Sequence, residues 1–365
     1  MRRRLGFRYL KPTFFSGLFD DPLLLVEIRP LGRSLLFDCG RIHHLAKRVL
    51  KSIDAIFITH AHMDHFMGID TFIRSAHVSP RTVNLYGPPG LAAKLSSKLN
   101  GYDWNLAEPY WCSFLVQEIH PHETKTFLLP GAEGFPCKSH GSEPRHGSII
   151  YQNRFIKVDA EILDHRIPVL AFRISEKPCF MVDEERLAAE GLLKGEWLRD
   201  LERRFVRGWE GSVPLTVIRR WEDDRVEEEI EHPLELYLRI RKEREPAAIG
   251  YLTDMGCTTD NLSKVERLLS GLTLLVCECS FLDEDRDKAR ESSHLCTGDL
   301  NAIVHRLKPR ALLPMHLSKG YIHKSRLLYD ELTLPAGVTV LRVPDLITPK
   351  PLIPAEVPPP TIEIH

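Results

Sequence analysis

The chain lacks the features that define several large protein classes. No apolar run reaches the roughly 20 residues a bilayer-spanning helix needs, so a membrane-spanning protein is not expected. Its 49 Lys and Arg stand against 50 Asp and Glu, for a net charge of −1. Bulk charge therefore gives no support for nucleic-acid binding, and any such surface has to be local. The eight cysteines are scattered and include no C-x-x-C pair. They read as reduced thiols rather than a disulfide framework, and Cys277 and Cys279 read as small apolar residues within a strand-like run. There is no internal repeat. The start, Met1-Arg2-Arg3-Arg4-Leu5-Gly6-Phe7, is basic, but Arg8 and Lys11 interrupt any signal-peptide apolar region. The expected location is cytoplasmic.

What is present is a substantial globular chain. Its 365 residues suffice for one large domain or two average ones, and 43% hydrophobic with 27% charged content suits a sizeable core. The densest chemistry lies at Thr59-His60-Ala61-His62-Met63-Asp64-His65, directly after the apolar run Ala55-Ile56-Phe57-Ile58. Neutral imidazoles and a carboxylate are the ligands that zinc, manganese and iron take. Alternation puts His60 and His62 on one side of a strand end. Asp64 and His65 then stand where the chain turns, and can face a second metal. A polar strand-to-loop junction with chance histidines is the plain alternative.

Along the chain, 23–28 and 34–38 read as strands, followed by a helix over 41–52 and a strand over 54–59. Residues 67–75 and 91–99 read as helices on either side of a strand at 83–86, with Gly87-Pro88-Pro89-Gly90 as a turn. Segments near 114–129 and 148–174 are rich in strand patterns. From about 180 to 245 charge density rises, which marks an insertion, helical in part at 183–206. Strands return at 248–254, 272–280 and 311–315, with helices near 261–270 and 297–307. The expected division is a domain over 1–342 and a Pro-rich, weakly ordered tail over 343–365.

The H-x-H-x-D-H motif resembles that of the metallo-β-lactamase superfamily of binuclear metal hydrolases. That resemblance implies an α/β fold, a four-layer αββα sandwich, here with a charged insertion. It also implies further ligands in order. Asp38 follows Leu35-Leu36-Phe37, and His165 follows Ile162-Leu163-Asp164. Asp254 follows Tyr251-Leu252-Thr253, and His316 follows Leu313-Pro314-Met315. Each ends an apolar, strand-like run. Within the superfamily the chain is similar to tRNase Z, the transfer-RNA 3′-processing endonucleases. Asp38-Cys39-Gly40, Tyr86-Gly87-Pro88-Pro89-Gly90 and Asp164-His165-Arg166-Ile167-Pro168 carry this likeness. So do Val276-Cys277-Glu278-Cys279-Ser280-Phe281, His294-Leu295-Cys296-Thr297, and His316-Leu317-Ser318 with Tyr321. It spans roughly 23–325, with 200–245 unmatched. Gly40-Arg41-Ile42-His43-His44, Met63 and Met255 depart from the family's wording, and no Gly/Pro-rich arm is evident.

The resemblance implies two divalent metal ions, zinc first, with manganese or iron as alternatives. His60, His62 and His165 would hold one, and Asp64, His65 and His316 the other, with Asp254 bridging. A hydroxide shared between ions about 3.5–4 Å apart would attack phosphorus. Asp38 would orient a ligand imidazole from behind. Asp64 would also orient the nucleophile. His294 would protonate the leaving oxygen, oriented by Glu278, although Glu278 reads equally well as a strand-end acid bound to backbone. Thr297, Ser318 and Tyr321 would contact substrate. His120, His122, His140 and His146 compete with His165 as the third imidazole. The apolar runs flanking His165 favour it. Tyr102, Trp104, Tyr110 and Trp111 read as a loop covering the core, with base stacking as the alternative.

The expected activity is phosphodiester hydrolysis, of RNA such as the 3′ trailer of a transfer-RNA precursor or of a smaller diester, by a homodimer. A hydrolase of thioesters or lactones, and a non-catalytic RNA-binding scaffold, are the other two readings.

Overall fold

The central strand sequences bury almost every position, as strands covered on both faces must. In the computed structural model, which describes residues 5–347 apart from 210–212, 222 and 244, they form two large sheets. The first runs in chain order through Leu10–Phe14 (β1), Leu24–Ile28 (β2), Arg33–Phe37 (β3), Ile53–Phe57 (β4), Thr82–Gly87 (β5), Ser113–Ile119 (β6), Glu123–Pro130 (β7) and Lys138–Pro144 (β8). Strands β3 to β6 are mutually parallel, and the flanking pairs are antiparallel.

The second sheet begins with Ile149–Gln152 (β9), Ile156–Asp164 (β10) and Pro168–Glu176 (β11). The chain then leaves for a separate compact unit, Lys177–Pro246, which contains the hairpin Leu215–Arg220 (β12) and Val226–Glu231 (β13). It returns with Ala248–Leu252 (β14), Leu274–Glu278 (β15), Ala311–Met315 (β16) and Thr339–Val340 (β17). The order across this sheet is β17-β16-β15-β14-β11-β10-β9, with β14 to β17 parallel. Strand β10 is antiparallel to β11, which is antiparallel to β14. Strands β10 and β14 therefore point the same way, and their C-terminal ends reach the same edge.

Three apolar clusters define the layers. Period-2 alternation sends Leu24, Val26, Phe37 and Phe57 of the first sheet against Phe172, Ile174, Tyr251 and Val276 of the second. The intervening residues, Leu25, Leu36 and Ile56, face helices Ile69–Ala76 and Leu91–Leu99. Leu252, Leu275 and Leu312 face helices Thr259–Leu268, Thr297–Leu307 and Ser325–Glu331. The result is the four-layer αββα sandwich expected. The unit at 177–246 has its own small core of Leu187, Trp197, Leu201, Val217, Leu236, Tyr237 and Ile240.

Local differences from the sequence reading have simple causes. Asp64 and His65 lie in a one-turn helix, Met63–Phe66, not an open turn. The helix read over 41–52 forms only at Lys47–Ser52, because His43 and His44 belong to a turn and His44 bonds the Phe15 carbonyl at 3.1 Å. The helical reading of 183–206 resolves into Glu184–Ala189 and Trp197–Val206, and the following hairpin was not read at all. At the start of the expected tail, Pro344 and Asp345 carbonyls accept from the Leu18 and Phe19 amides. The Pro-rich remainder from 348 lies outside the described residues.

Phe57 stacks between Phe37, at 4.7 Å between centroids, and Tyr86, at 4.8 Å, where the two sheets meet. Phe57→Ala is expected to cost about 3–5 kcal/mol of unfolding free energy by denaturant titration.

Candidate metal centre

Strand ends set the site. Asp38 follows β3, His60 lies three residues beyond β4, His165 follows β10, Asp254 lies two beyond β14, and His316 follows β16. Asp38 and His316 leave their strands with φ of 55° and 64°. That left-handed backbone is costly for non-glycine residues, and here it turns each side chain back over the sheet edge. Gly40 and Gly68 close the junction. A Cβ on Gly40 would fall 2.4 Å from the Asp64 carbonyl, and one on Gly68 would fall 1.9 Å from the Gly40 carbonyl.

The imidazoles converge on Asp254. Its Oδ2 lies 3.3 Å from His65 Nε2, 3.6 Å from His60 Nε2 and 3.9 Å from His165 Nε2, while Oδ1 lies 3.3 Å from His316 Nδ1. Among the described residues, three groupings of candidate ligand atoms fall within 4.8 Å: His60, His62, His165 and Asp254; Asp64, His65 and His316; and Asp254, Glu278, His294 and His316. His62 is exposed, with its ring 4.4 Å from that of His60. Asp64 Oδ2 sits 2.9 Å from His316 Nε2 and 3.6 Å from His65 Nε2.

The back of each ring is fixed. His65 Nδ1–H donates to Asp38 Oδ2 at 2.8 Å, and His165 Nδ1–H donates to the Ser293 carbonyl at 2.8 Å. His60 Nδ1 meets Thr59 Oγ1 at 3.1 Å, and that hydroxyl donates to Asp38 Oδ1 at 2.9 Å. Tying Nδ1 leaves the Nε2 lone pair pointing forward. Asp38 itself is fully buried and also accepts from the Thr59 amide at 2.8 Å and the Tyr251 hydroxyl at 3.1 Å. Meanwhile His60 Nε2, His65 Nε2 and Asp254 Oδ1 are buried with no hydrogen-bond partner among the described residues. Each bare buried polar atom costs about 1–3 kcal/mol. A divalent cation is the partner that satisfies nitrogen lone pairs and a carboxylate together, so these residues fit one.

The electrostatics divide the imidazoles into two kinds. Burial, reinforced by neighbouring His65, pushes His60 down to about 2, and burial with His165 lowers His62. Both are therefore neutral, the form in which an imidazole can hold a metal. Burial opposes charge on His65 and His316, but Asp254 and Asp38 raise the first well above its ordinary value, and Asp254 and Asp64 raise the second. Burial would raise Asp254, yet His316 and His65 hold it well below the usual carboxylate range. Asp64 is also lowered, its burial outweighed by His316 and His65.

His294 stands at the edge of this cluster. Its Nδ1 is 3.1 Å from Glu278 Oε2 and 3.9 Å from Asp254 Oδ1. Burial works against its charge, but Glu278 lifts it to about 9. Glu278 Oε1 accepts from the Met255 amide at 2.8 Å, as a strand-end acid bound to backbone does, while Oε2 faces His294. Ser280 Oγ ties the group together, donating to Glu278 Oε2 at 2.8 Å and standing 3.1 Å from His316 Nδ1.

A cavity of about 270 Å³ opens over Asp64, His294 and His316. Ser318 lies on its wall. Thr297 and Tyr321 do not. Thr297 is fully buried with its hydroxyl bonded to Glu331, and the Tyr321 hydroxyl donates to Asp285. The competing histidines also lie elsewhere: His122, His140 and His146 are exposed, and His120 pairs with Glu118 at 3.4 Å. Trp104 packs on the first core while Tyr102 and Tyr110 are exposed. Sequence reading missed Thr59, Tyr251, Ser280 and the Ser293 carbonyl; only Thr59, adjoining the motif, carried a signal.

Residues 33–160 match the Beta-lactamase superfamily domain. The metallo-beta-lactamase fold protein YhfI of Bacillus subtilis superposes with a TM-score of 0.50 at 13% identity, covering 92% of this chain and 97% of that one. The chain has a metallo-β-lactamase fold. Two relatives of this fold are named Ribonuclease Z. The protein from Deinococcus radiodurans is 28% identical over 291 residues, 79% of this chain and 83% of its own length. That from Shouchella clausii is 27% identical over 318 residues, 82% and 81%. A long form RNase Z from yeast shares the fold, with a TM-score of 0.50 at 12% identity over 92% of this chain and 40% of that one. Among the described residues no helix is long and apolar enough to cross a membrane.

Tyr251→Phe removes one donor to Asp38 and leaves the core volume intact. Zinc affinity, titrated with a chelator, is expected to fall about tenfold with little change in melting temperature.

Proposed function

We propose that the protein is a binuclear metal-dependent phosphodiesterase of the ribonuclease Z type, cutting RNA near a 3′ end, with the trailer of transfer-RNA precursors as the first substrate to test. One observation carries this reading. Asp254 belongs both to the grouping with His60, His62 and His165 and to a grouping with His316, and His316 in turn joins Asp64 and His65. These residues would hold two adjacent ions, with the Asp254 carboxylate within reach of both. The imidazole-rich donor set favours zinc over harder cations. When bound, the ions supply an activated water and positive charge for the phosphoryl oxygens.

The chain's own residues do the rest. Asp38 and the Ser293 carbonyl hold His65 and His165 in the tautomer that presents Nε2. Asp64, projecting beside His316, is placed to orient the nucleophile. His294 carries the proton that the leaving 3′ oxygen takes up, and Glu278 keeps that proton on the ring near neutral pH. Ser280 holds His294, His316 and Glu278 at fixed spacing. A proton donor next to the metal ligands favours a poor alkoxide leaving group over a thiolate, which needs no proton. By the same likeness the enzyme works in the cytoplasm and as a homodimer.

The test is cleavage of a 3′-extended transfer-RNA precursor by zinc- or manganese-loaded protein, beside bis(p-nitrophenyl) phosphate and Asp64→Ala. A cut after the discriminator base, lost in the variant, is expected. Cleavage of the small diester alone overturns the transfer-RNA substrate, and cleavage of neither overturns the phosphodiesterase in favour of thioester or lactone hydrolysis.

His294→Ala is expected to lower turnover at least a hundredfold while metal content by atomic absorption holds. Glu278→Gln removes the charge that lifts His294, so its proton is lost at lower pH. The alkaline limb of the rate profile is then expected to move to lower pH.

A further inference from the structure

One wall of the cavity over the metal centre is acidic and has no part in the chemistry described so far. The segment 16–22 passes across the mouth and is pinned there. The Leu317 amide donates to the Leu18 carbonyl at 2.9 Å, and the Leu18 and Phe19 amides donate to Pro344 and Asp345 carbonyls. Asp20 is committed to structure, its Oδ2 accepting from the Gly17 amide at 2.9 Å and the Ile347 amide at 2.6 Å.

Asp21 is different. It is 9% exposed, it lines the cavity, and its Oδ2 is buried with no hydrogen-bond donor among the described residues. Arg41 Nε stands 3.5 Å away on a half-exposed side chain, and Lys319 adds a more distant positive charge. Gly40 lets Asp21 and the Asp64 backbone close together, since a Cβ there would fall 2.5 Å from Asp21 Cβ and 2.4 Å from the Asp64 carbonyl. Asp21 is thus held beside the metal ligands, on the same cavity as His294.

An acceptor oxygen held this way recognises a donor. Asp20 and Asp64 on the same wall repel a second phosphate, so the group that reaches Asp21 is neutral or cationic. Ser280, Ser292 and Ser318 add hydroxyls to the wall, Phe19 and Phe281 add two apolar faces, and Lys319 supplies one cation for a phosphate. A cavity of about 270 Å³ has room for a sugar-sized group and little more. His294, assigned above to the leaving 3′ oxygen, faces this space. In a ribonucleotide the hydroxyl vicinal to that oxygen is the 2′-OH, which distinguishes RNA from DNA.

We propose that Asp21 accepts a hydrogen bond from the 2′-hydroxyl of the nucleotide on the 5′ side of the scissile phosphate, making this cavity a ribose subsite that selects RNA. The inference rests on the phosphodiesterase reading above and assigns Asp21 to binding rather than catalysis.

The test uses the full-length, zinc-loaded protein on an RNA carrying a 3′ extension. Four versions differ in one 2′ substituent before the cut: hydroxyl, hydrogen, fluorine and methoxy. Wild type is expected to cleave the hydroxyl substrate roughly tenfold or more faster, in kcat/KM, than the other three, because none of those can donate. In Asp21→Ala the ratio is expected to fall to about one through loss on the ribose substrate. Asp21→Asn, which keeps one carbonyl acceptor, is expected to give an intermediate ratio. Equal cleavage of the fluoro and hydroxyl substrates by wild type overturns the proposal without recourse to any variant. A ratio unchanged in Asp21→Ala overturns it as well. Failure to cut any RNA while bis(p-nitrophenyl) phosphate is hydrolysed instead overturns the RNA reading beneath it.

Discussion

The attraction between one buried carboxylate and the imidazoles around it organises this molecule. Asp254 is 2% exposed, a position where an unpaired charge is expensive by several kcal/mol. It is tolerable because His65, His60, His165 and His316 all lie within 4 Å of its oxygens. Meeting that requirement takes both sheets. His60 and His65 come from the first, while His165, Asp254 and His316 come from the second. The edge-on and tilted packing of Phe172 and Tyr251 against Phe37 and Phe57 is therefore also what sets the spacing of the centre.

The same residues show where stability yields to function. Asp38 and His316 occupy left-handed backbone, and His60 and His65 present bare nitrogens to one another. Each feature is unfavourable alone. They persist because strands on every side fix the chain before the site begins. Asp38 is the clearest case, anchored by Thr59, His65 and Tyr251 at once.

How far the sequence revealed this depended on distance along the chain. The motif at 59–65 was legible because its candidate ligands lie within six positions, directly after a buried strand. The remaining candidate ligands were placed in order by the family resemblance, each at the end of an apolar run. The supporting contacts were not legible: Tyr251 reaches Asp38 across 213 positions and the Ser293 carbonyl reaches His165 across 128. Thr297 and Tyr321 show the converse failure. Their loops were recognised, but a motif does not say which way a hydroxyl points, and Glu331 and Asp285 turn both away from the cavity. The β12–β13 hairpin escaped because Val226–Glu231 reads Val-Glu-Glu-Glu-Ile-Glu, mostly exposed, with no apolar stripe to announce a strand.

The chain separation of the ligands also governs when the centre can exist. Asp64 and His316 meet across 252 positions, the second delivered by β16. During synthesis the first sheet emerges complete while His316 is still unmade. A growing chain can offer His60, His62 and His65 early, yet the grouping that needs His316 closes only after the second sheet has formed against the first. Loop closure over such a span is slow, and metal capture at the finished site then favours the folded state by mass action. The metal centre is in this sense a latch on the completed sandwich, fastened last.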